Sequence, residues 1–230
     1  KEINKKDLNF IDLMVEERLK GKPLAYLIGE KGFWKNSFIV TPDVLVPRPE
    51  TETLVDAILN ENLQGKTLLE LGTGSGAISI SIAQENKDCF IFATDISIKS
   101  ILVAKQNAEK FCCENIIFLN HDWNSEWLFP QVDYLISNPP YVNKEATTGK
   151  EEGIWHEPEK ALFSKDKGLS DLKLILTKGK NFLNENGKVY LEHAPDQYEE
   201  LNKFAVEKGH PNFSNLNDLN GDKRVSIYQC

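Results

Sequence analysis

Thr67-Leu68-Leu69-Glu70-Leu71-Gly72-Thr73-Gly74-Ser75-Gly76-Ala77-Ile78-Ser79-Ile80 is the stretch on which the fold turns. A short apolar run, Thr67 to Leu71, has the composition of a buried strand and passes directly into a Gly-x-Gly-x-Gly turn. A helical pattern from Ala77 to Glu85 follows at once. Glycines in such a turn let the backbone approach a ligand closely, and the helix start presents amides without internal partners. The dinucleotide fingerprint places two residues between its second and third glycines. Here there is one, which favours a cofactor lacking a pyrophosphate. A tight strand-to-helix connection alone would need the same glycines, so the turn acquires meaning only from its surroundings.

Downstream the rhythm stays strand and helix. Strands are expected over Phe90 to Thr94, Ile116 to Leu119, Val132 to Ser137 and Gly187 to His193, and helices over Ser97 to Phe111 and Leu169 to Leu183. That alternation predicts an α/β fold with a parallel sheet covered on both faces. The tail breaks the rule. Phe213 to Leu216 and Val225 to Gln229 are separated by too few residues for a crossover, so they pair antiparallel and the sheet ends in a hairpin.

Upstream, Leu8, Ile11, Leu13, Met14, Val15 and Leu19 form a broad helical stripe. Phe33 to Val46 reads as a β-hairpin or two short strands, with Asn36-Ser37 and Pro42-Asp43 as turns. Pro47-Arg48-Pro49-Glu50-Thr51-Glu52 then enters a helix carrying Leu54, Val55, Ile58 and Leu59, with Thr51 expected as its cap. The chain begins with Lys1, which reads as an internal start. The expected organisation is residues 1 to 20 as the stub of a helical domain, 21 to 64 as hairpin and capping helix, and 65 to 230 as the main domain.

Composition narrows the function classes. The 230 residues are 40% hydrophobic and 27% charged, with 27 Lys and Arg against 35 Asp and Glu and a net charge of -8. That balance opposes non-specific attraction to nucleic acid. No stretch has the ~20 apolar residues of a membrane span. Cys89, Cys112, Cys113 and Cys230 form no CxxC pair, and His121, His156, His193 and His210 lack the spacing of a metal pair. A reduced cytoplasmic protein without a structural metal is therefore expected.

Each strand end contributes something to one crevice. Asp95, 19 residues after Gly76, is placed to accept from both ribose hydroxyls. His121-Asp122-Trp123 follows the third strand: Asp122 can accept from an exocyclic amine and the Trp123 indole can cover an adenine. Ser137-Asn138-Pro139-Pro140-Tyr141 follows the fourth. The prolines fix a bend and remove amide donors, leaving carbonyl acceptors, and Asn138 adds a side-chain oxygen. An acceptor pair beside the Tyr141 ring suits a planar NH2 group. Accepting its hydrogens at Asn138 Oδ1 and the Pro139 carbonyl aims the nitrogen lone pair and stabilises the positive charge of attack.

Asn138-Pro139-Pro140-Tyr141 with Gly72-x-Gly74-x-Gly76 resembles an S-adenosylmethionine-dependent amino-methyltransferase. Gly21-Lys22-Pro23-Leu24-Ala25-Tyr26-Leu27-Ile28-Gly29, Phe33 and Val46-Pro47-Arg48-Pro49-Glu50-Thr51-Glu52 are similar to the peptide-chain release factor glutamine methyltransferases, the HemK/PrmC family. The likeness continues through Glu157-Pro158, Ala161-Leu162, Gly168-Leu169, Glu192 with Gln197, and Asp218-Leu219-x-Gly221-Asp222-x-Arg224-Val225. It implies a seven-stranded Rossmann-like class I methyltransferase sheet, S-adenosylmethionine as cofactor, and methyl transfer to the glutamine amide of the Gly-Gly-Gln motif in release factors. It further implies that Gly72, Thr73, Gly74, Ser75 and Gly76 line the methionine part, Asp95 the ribose, and Asp122 with Trp123 the adenine. Asn138 then borders both cofactor and target glutamine, which Pro139, Pro140 and Tyr141 help hold. Phe33 and Arg48 to Glu52 are implied as the cover. Glu70 stands where the family usually has Asp and can still reach the methionine amino group. His156 and His193-Ala194 depart from the pattern; both histidines read as structural.

The rival is a DNA or RNA adenine N6-methyltransferase, which uses a similar Asn-Pro-Pro-Tyr on a flipped base. The acidic balance, including Glu151, Glu152, Glu157 and Glu159, argues against it; the tetrapeptide alone does not decide.

Overall fold

The computed structural model describes residues 5–147 and 154–229. The chain begins with helices α1 (Lys5–Leu19) and α2 (Leu24–Ile28), then the hairpin β1 (Glu30–Phe33) and β2 (Asn36–Ile39). After α3 (Glu52–Leu59) come β3 (Thr67–Leu71), α4 (Ala77–Glu85), β4 (Phe90–Asp95), α5 (Ile98–Lys110), β5 (Ile116–Asn120) and β6 (Val132–Ser137). Small elements β7 (Val142–Asn143), α6 (Glu159–Leu162) and β8 (Phe163–Ser164) lead into α7 (Ser170–Gly179), β9 (Leu183–Glu192), α8 (Tyr198–Glu207), β10 (Asn212–Asn217) and β11 (Lys223–Gln229).

Seven strands form one sheet in the order β10-β11-β9-β6-β3-β4-β5. The pairs β3 with β4, β3 with β6, β4 with β5 and β6 with β9 are parallel; β11 runs antiparallel to both β9 and β10. The α/β class, the seven strands and the closing hairpin are as the sequence predicts. Because the chain moves outward from β3 through β4 to β5 and then returns to β6 on the other side of β3, the order reverses there. The carboxyl ends of β3 and β6 flank the resulting crevice, the usual ligand position in such sheets.

Alternation along β3 explains its two-sided burial. Leu68 packs with Leu54, Ile58, Ile80 and Ile82, whereas Leu69 and Leu71 point to the other face, against Leu172, Ile175, Leu176 and Leu201. Phe33 and Phe38 of the first hairpin share the former core, so this hairpin is fastened beside the crevice entrance.

Several local expectations change. The first hairpin turns at Trp34-Lys35, with Trp34 at φ 54, and Asn36 and Ser37 lie within β2 because they pair with Phe33 and Gly32. Val44 to Val46 form no strand. Thr51 does not cap α3: a 3-10 turn, Pro49–Thr51, precedes the helix, leaving Thr51 in helical backbone with its side chain turned elsewhere. α7 stops at Gly179 and Leu183 already belongs to β9, whose early residues are accommodated by a register shift and by Asn186 at φ 64. α8 has no counterpart among the expected helices, although Leu201 and Ala205 are spaced for one buried face. Most apolar residues of α1 are exposed, Leu19 at 82%. Cys230, Glu151 and Glu152 lie outside the described residues.

Candidate active site

The glycine turn is held down by its neighbour strand. Gly72 N and Thr73 N both donate to Thr94 O, at 2.9 and 2.8 Å. All three glycines have positive φ, at 78°, 56° and 81° for Gly72, Gly74 and Gly76. Their surroundings differ. A Cβ on Gly72 would meet the Trp123 ring at 3.3 Å and one on Gly76 would meet Ile80 Cδ1 at 2.7 Å, whereas one on Gly74 would meet nothing within 4 Å. Gly76 therefore serves helix packing, and Gly74 leaves open space.

Asp95 is fixed on both carboxylate oxygens: Oδ2 accepts from Gly74 N at 2.9 Å and Oδ1 from Ser97 N at 2.8 Å. Each oxygen retains acceptor capacity toward the crevice. Burial raises the Asp95 pKa, against those two amides. Beneath the turn, Glu70 is 1% exposed; its Oε2 accepts from Thr73 Oγ1 at 2.7 Å, while Oε1 is buried without a hydrogen-bond partner among the described residues. Burial pushes its carboxyl up to about 8, the Thr73 hydroxyl and Ser79 amide pulling back and the Asp95 charge adding to the rise.

After β5, Asp122 Oδ1 accepts from the backbone and side-chain amides of Asn124, both at 2.9 Å, which hold its pKa down. The Trp123 Nε1 donates to Asp171 Oδ1 at 3.0 Å. Lys178, on the same helix as Asp171, donates to the carbonyls of Trp123, Asn124 and Ser125 at 2.8, 3.1 and 2.8 Å.

At the end of β6, Ser137 Oγ donates to Leu71 O at 2.7 Å, locking the two strand ends together. Asn138 Nδ2 donates to Thr51 Oγ1 at 2.9 Å. Its NH2 is thus engaged and its Oδ1 remains an acceptor. Pro139 and Pro140 are buried, and Tyr141 Oη donates to Glu192 Oε1 at 2.9 Å. Gln197 Nε2 fixes the Tyr141 carbonyl at 2.9 Å. Glu192 is fully buried, and its Oε2 has no hydrogen-bond partner among the described residues. Burial pushes its carboxyl up to about 7, opposed by Thr51, Tyr141 and the Arg224 charge, with Glu50 adding to the rise.

The cover is clamped from across the crevice. Buried Glu157 accepts from Val46 N at 3.0 Å and pairs with the Arg48 guanidinium, so the segment after Leu45 is tied to the turn before α6.

A cavity of about 550 Å³ is bounded by Gly72, Gly74, Asp95, Trp123, Asn138 and Pro140 among others, ample for a nucleoside-sized ligand. A smaller one of about 50 Å³ lies between the cover and the glycine turn, touching Phe33, Arg48, Thr51, Thr73, Ser75 and Asn138. Asn138 borders both. Gly76, Asp122, Pro139 and Tyr141 line neither. The sequence gives Thr51 a place as helix cap and within the implied cover but not as the partner of Asn138, and it gives none to Asp171 or Lys178, whose contacts depend on chain segments distant in sequence. Glu157 and Glu192 stood out only through family likeness. Among the described residues no cluster of three or more His, Cys, Asp or Glu could hold a metal, and no helix is long and apolar enough to cross a membrane.

Residues 49–204 match the Methyltransferase small domain family. A release factor glutamine methyltransferase from Coxiella burnetii is 36% identical over 98% of this chain and 82% of its own length. One from Escherichia coli K12 is 33% identical over 94% of this chain and 79% of its own. Among solved structures, a methyltransferase from Pyrococcus furiosus superposes with TM-score 0.64 at 19% identity, covering 94% of this chain and 96% of that one. A Thermus thermophilus 16S rRNA N2 G1207 methyltransferase, solved with AdoMet and guanosine, gives 0.64 at 17% identity, over 87% of this chain and 49% of its own. Both structural likenesses concern the fold.

Proposed function

The chain belongs to the release factor glutamine methyltransferase family, and from that premise we propose that it methylates the side-chain amide nitrogen of the glutamine in the Gly-Gly-Gln motif of release factors, with S-adenosylmethionine as donor. The observation that carries the reading is the orientation of Asn138. With its Nδ2 committed to Thr51, its Oδ1 is left as an acceptor beside the cavity.

The donor fits the residues present. Gly74 opens space where any side chain would intrude, and Glu70 Oε1 is a buried acceptor without a partner for the methionine ammonium. Asp95 supplies acceptors for the ribose hydroxyls, and Trp123 a flat face for the adenine, with Asp122 next to it in the chain. Thr73 and Ser75 support the turn from its inner side. Bound there, S-adenosylmethionine supplies an electrophilic methyl group.

The remaining work belongs to the chain. An amide nitrogen is a poor nucleophile because its lone pair is delocalised. Asn138 Oδ1 and the Pro139 carbonyl accept its two hydrogens, orient the lone pair toward the methyl group and stabilise positive charge as it grows. Pro140 stiffens this acceptor pair, and Tyr141 supports it from the flank. The methylated amide loses its proton to water, so no general base is needed. Residues 65–230 act as the methyltransferase domain, with 21–64 as its cover, in a cytoplasmic enzyme whose partner is a translation factor.

Incubation with labelled S-adenosylmethionine and either a release factor or duplex DNA tests this. Label is expected in the factor, and not in one whose Gly-Gly-Gln glutamine is replaced. Label in DNA alone overturns the reading.

A further inference from the structure

Two stretches far apart in the chain contribute to the wall of the large cavity: residues 42–45, just ahead of the cover, and residues 158–161, at the start of α6. The first is fastened to the body of the domain. Lys99 pairs with Asp43 Oδ1 at 3.0 Å, Ser100 Oγ donates to the Asp43 carbonyl at 3.1 Å, and Tyr26 Oη donates to the Val44 carbonyl. The second is anchored where it begins, as His156 Nε2 reaches the Lys20 carbonyl at 3.1 Å. Glu157 joins the two. Its Oε2 accepts from Val46 N at 3.0 Å, one residue past the first stretch, and its Oε1 accepts from Arg48 Nη2, while the residue itself immediately precedes Pro158. One buried carboxylate thus closes a seam in the wall between positions 111 and 109 residues apart.

The transfer step described above does not use this carboxylate. Resting on the functional reading above, we propose that Glu157 is a positioning residue for the cofactor: by holding the stretch before Val46 against the start of α6, it sets how long S-adenosylmethionine and its product stay bound.

The donors on the far side of the seam are a backbone amide and a guanidinium. A carboxylate has one oxygen for each, whereas an amide side chain of the same length offers a single oxygen. The Glu157 side chain is 2% exposed, so water does not replace either bond while the seam is shut. Removing one member of such a buried pair also leaves the other charge without its partner. Pro47 and Pro49 bracket Arg48 with fixed φ, so the two bonds act on one stiff segment, and a displacement at Val46 passes to Leu45 and Val44 in the wall. Loss of Glu157 leaves the fastenings by Lys99, Ser100 and Tyr26 in place. The wall then loosens at one seam while the surrounding fold persists. A seam that parts more often shortens the residence of a ligand more than it changes the encounter rate.

Two measurements on the full chain test this. NMR-detected hydrogen exchange reads the clasp in the free protein: the Val46 amide is expected to exchange about tenfold faster or more in Glu157→Ala than in the parent, with the amides of β3 unchanged. Equal Val46 rates overturn the proposal whatever the enzyme methylates. Stopped-flow fluorescence, with Trp123 in the cavity wall as reporter, follows release of S-adenosylhomocysteine. Its dissociation rate is expected to rise about tenfold or more in Glu157→Ala, with association changed less than about twofold and kcat at saturating cofactor lowered less than about threefold. Smaller increases are expected in Glu157→Gln, which keeps one acceptor, and in Arg48→Met, which leaves the Val46 bond; both keep the comparison available if Glu157→Ala does not fold. Parent-like dissociation in all the variants that fold, or a kcat loss as large as the change in dissociation, overturns the proposal. A parent protein that binds no S-adenosylhomocysteine refutes the functional reading instead, and hydrogen exchange still decides the clasp.

Discussion

Trp123 Nε1 donates to Asp171 Oδ1 at 3.0 Å, fastening the indole that follows β5 to the first turn of α7. Two segments far apart in sequence thereby set the plane of one aromatic wall of the cavity. Asp171→Ala should weaken cofactor binding about fivefold, the equivalent of one ordinary hydrogen bond of about 1 kcal/mol. Asp171→Asn, which keeps an acceptor, should stay near the parent. Titration calorimetry measures both, and equal affinities in all three proteins refute the role.

The glycines of the turn should separate by function. Gly74→Ala incurs about 1–2 kcal/mol for a left-handed backbone but meets no neighbour. It should fold with a modest fall in melting temperature and lose cofactor affinity at least about tenfold. Gly76→Ala adds a clash with Ile80 and contact with Ala104, worth about 1–3 kcal/mol more. Its main defect should be stability. Thermal melts paired with calorimetry distinguish the two, and identical profiles would contradict the assignment.

Glu70 predicts a proton linkage. With its pKa raised to about 8 by burial, the free protein carries it mostly protonated at pH 7, and a bound ammonium group favours the ionised form. Cofactor binding should release close to one proton near pH 7, affinity rising with pH until about 8 and then levelling. The sign for stability is opposite. A raised carboxyl pKa gives the free fold a contribution present below the unfolded value of about 4.5 and lost as pH rises through about 8. Calorimetry in buffers of different ionisation heat reads the proton count. Release unchanged in Glu70→Gln would remove Glu70 from the linkage.

Asn138→Ala should reduce kcat by about 10²- to 10³-fold, the range seen when one preorganised polar contact to a developing charge is removed. Its effect on cofactor Kd should be slight. Asp95→Ala should show the reverse emphasis, weakening cofactor about tenfold or more. A parent-like rate for Asn138→Ala removes its oxygen from the mechanism.

The alternation of strands and helices from β3 to β6, the closing hairpin and the places of Gly72, Gly74, Asp95, Trp123 and Asn138 around one cavity were legible in the chain. They follow from local rules: apolar periodicity, glycine punctuation, and connections too short for a crossover. The length of β9 was not, because Asn186 and a register shift let the strand begin before its glycine, and only the pairing with β6 reveals that. Thr51 shows the same limit within the site. Its sequence setting matches a helix cap, and tertiary structure gives its hydroxyl to Asn138 instead.

The sequence by itself determined which chemical groups exist and at which strand ends they emerge, since those depend on residues adjacent in the chain. The tertiary structure decided how those groups face. Asn138, on the cavity wall, has its NH2 engaged because Thr51, 87 residues earlier, accepts from it. Trp123 stands as a wall because Asp171, 48 residues later, holds its indole. Hydrogen-bond direction is set by partners that folding brings together, and no local pattern encodes them.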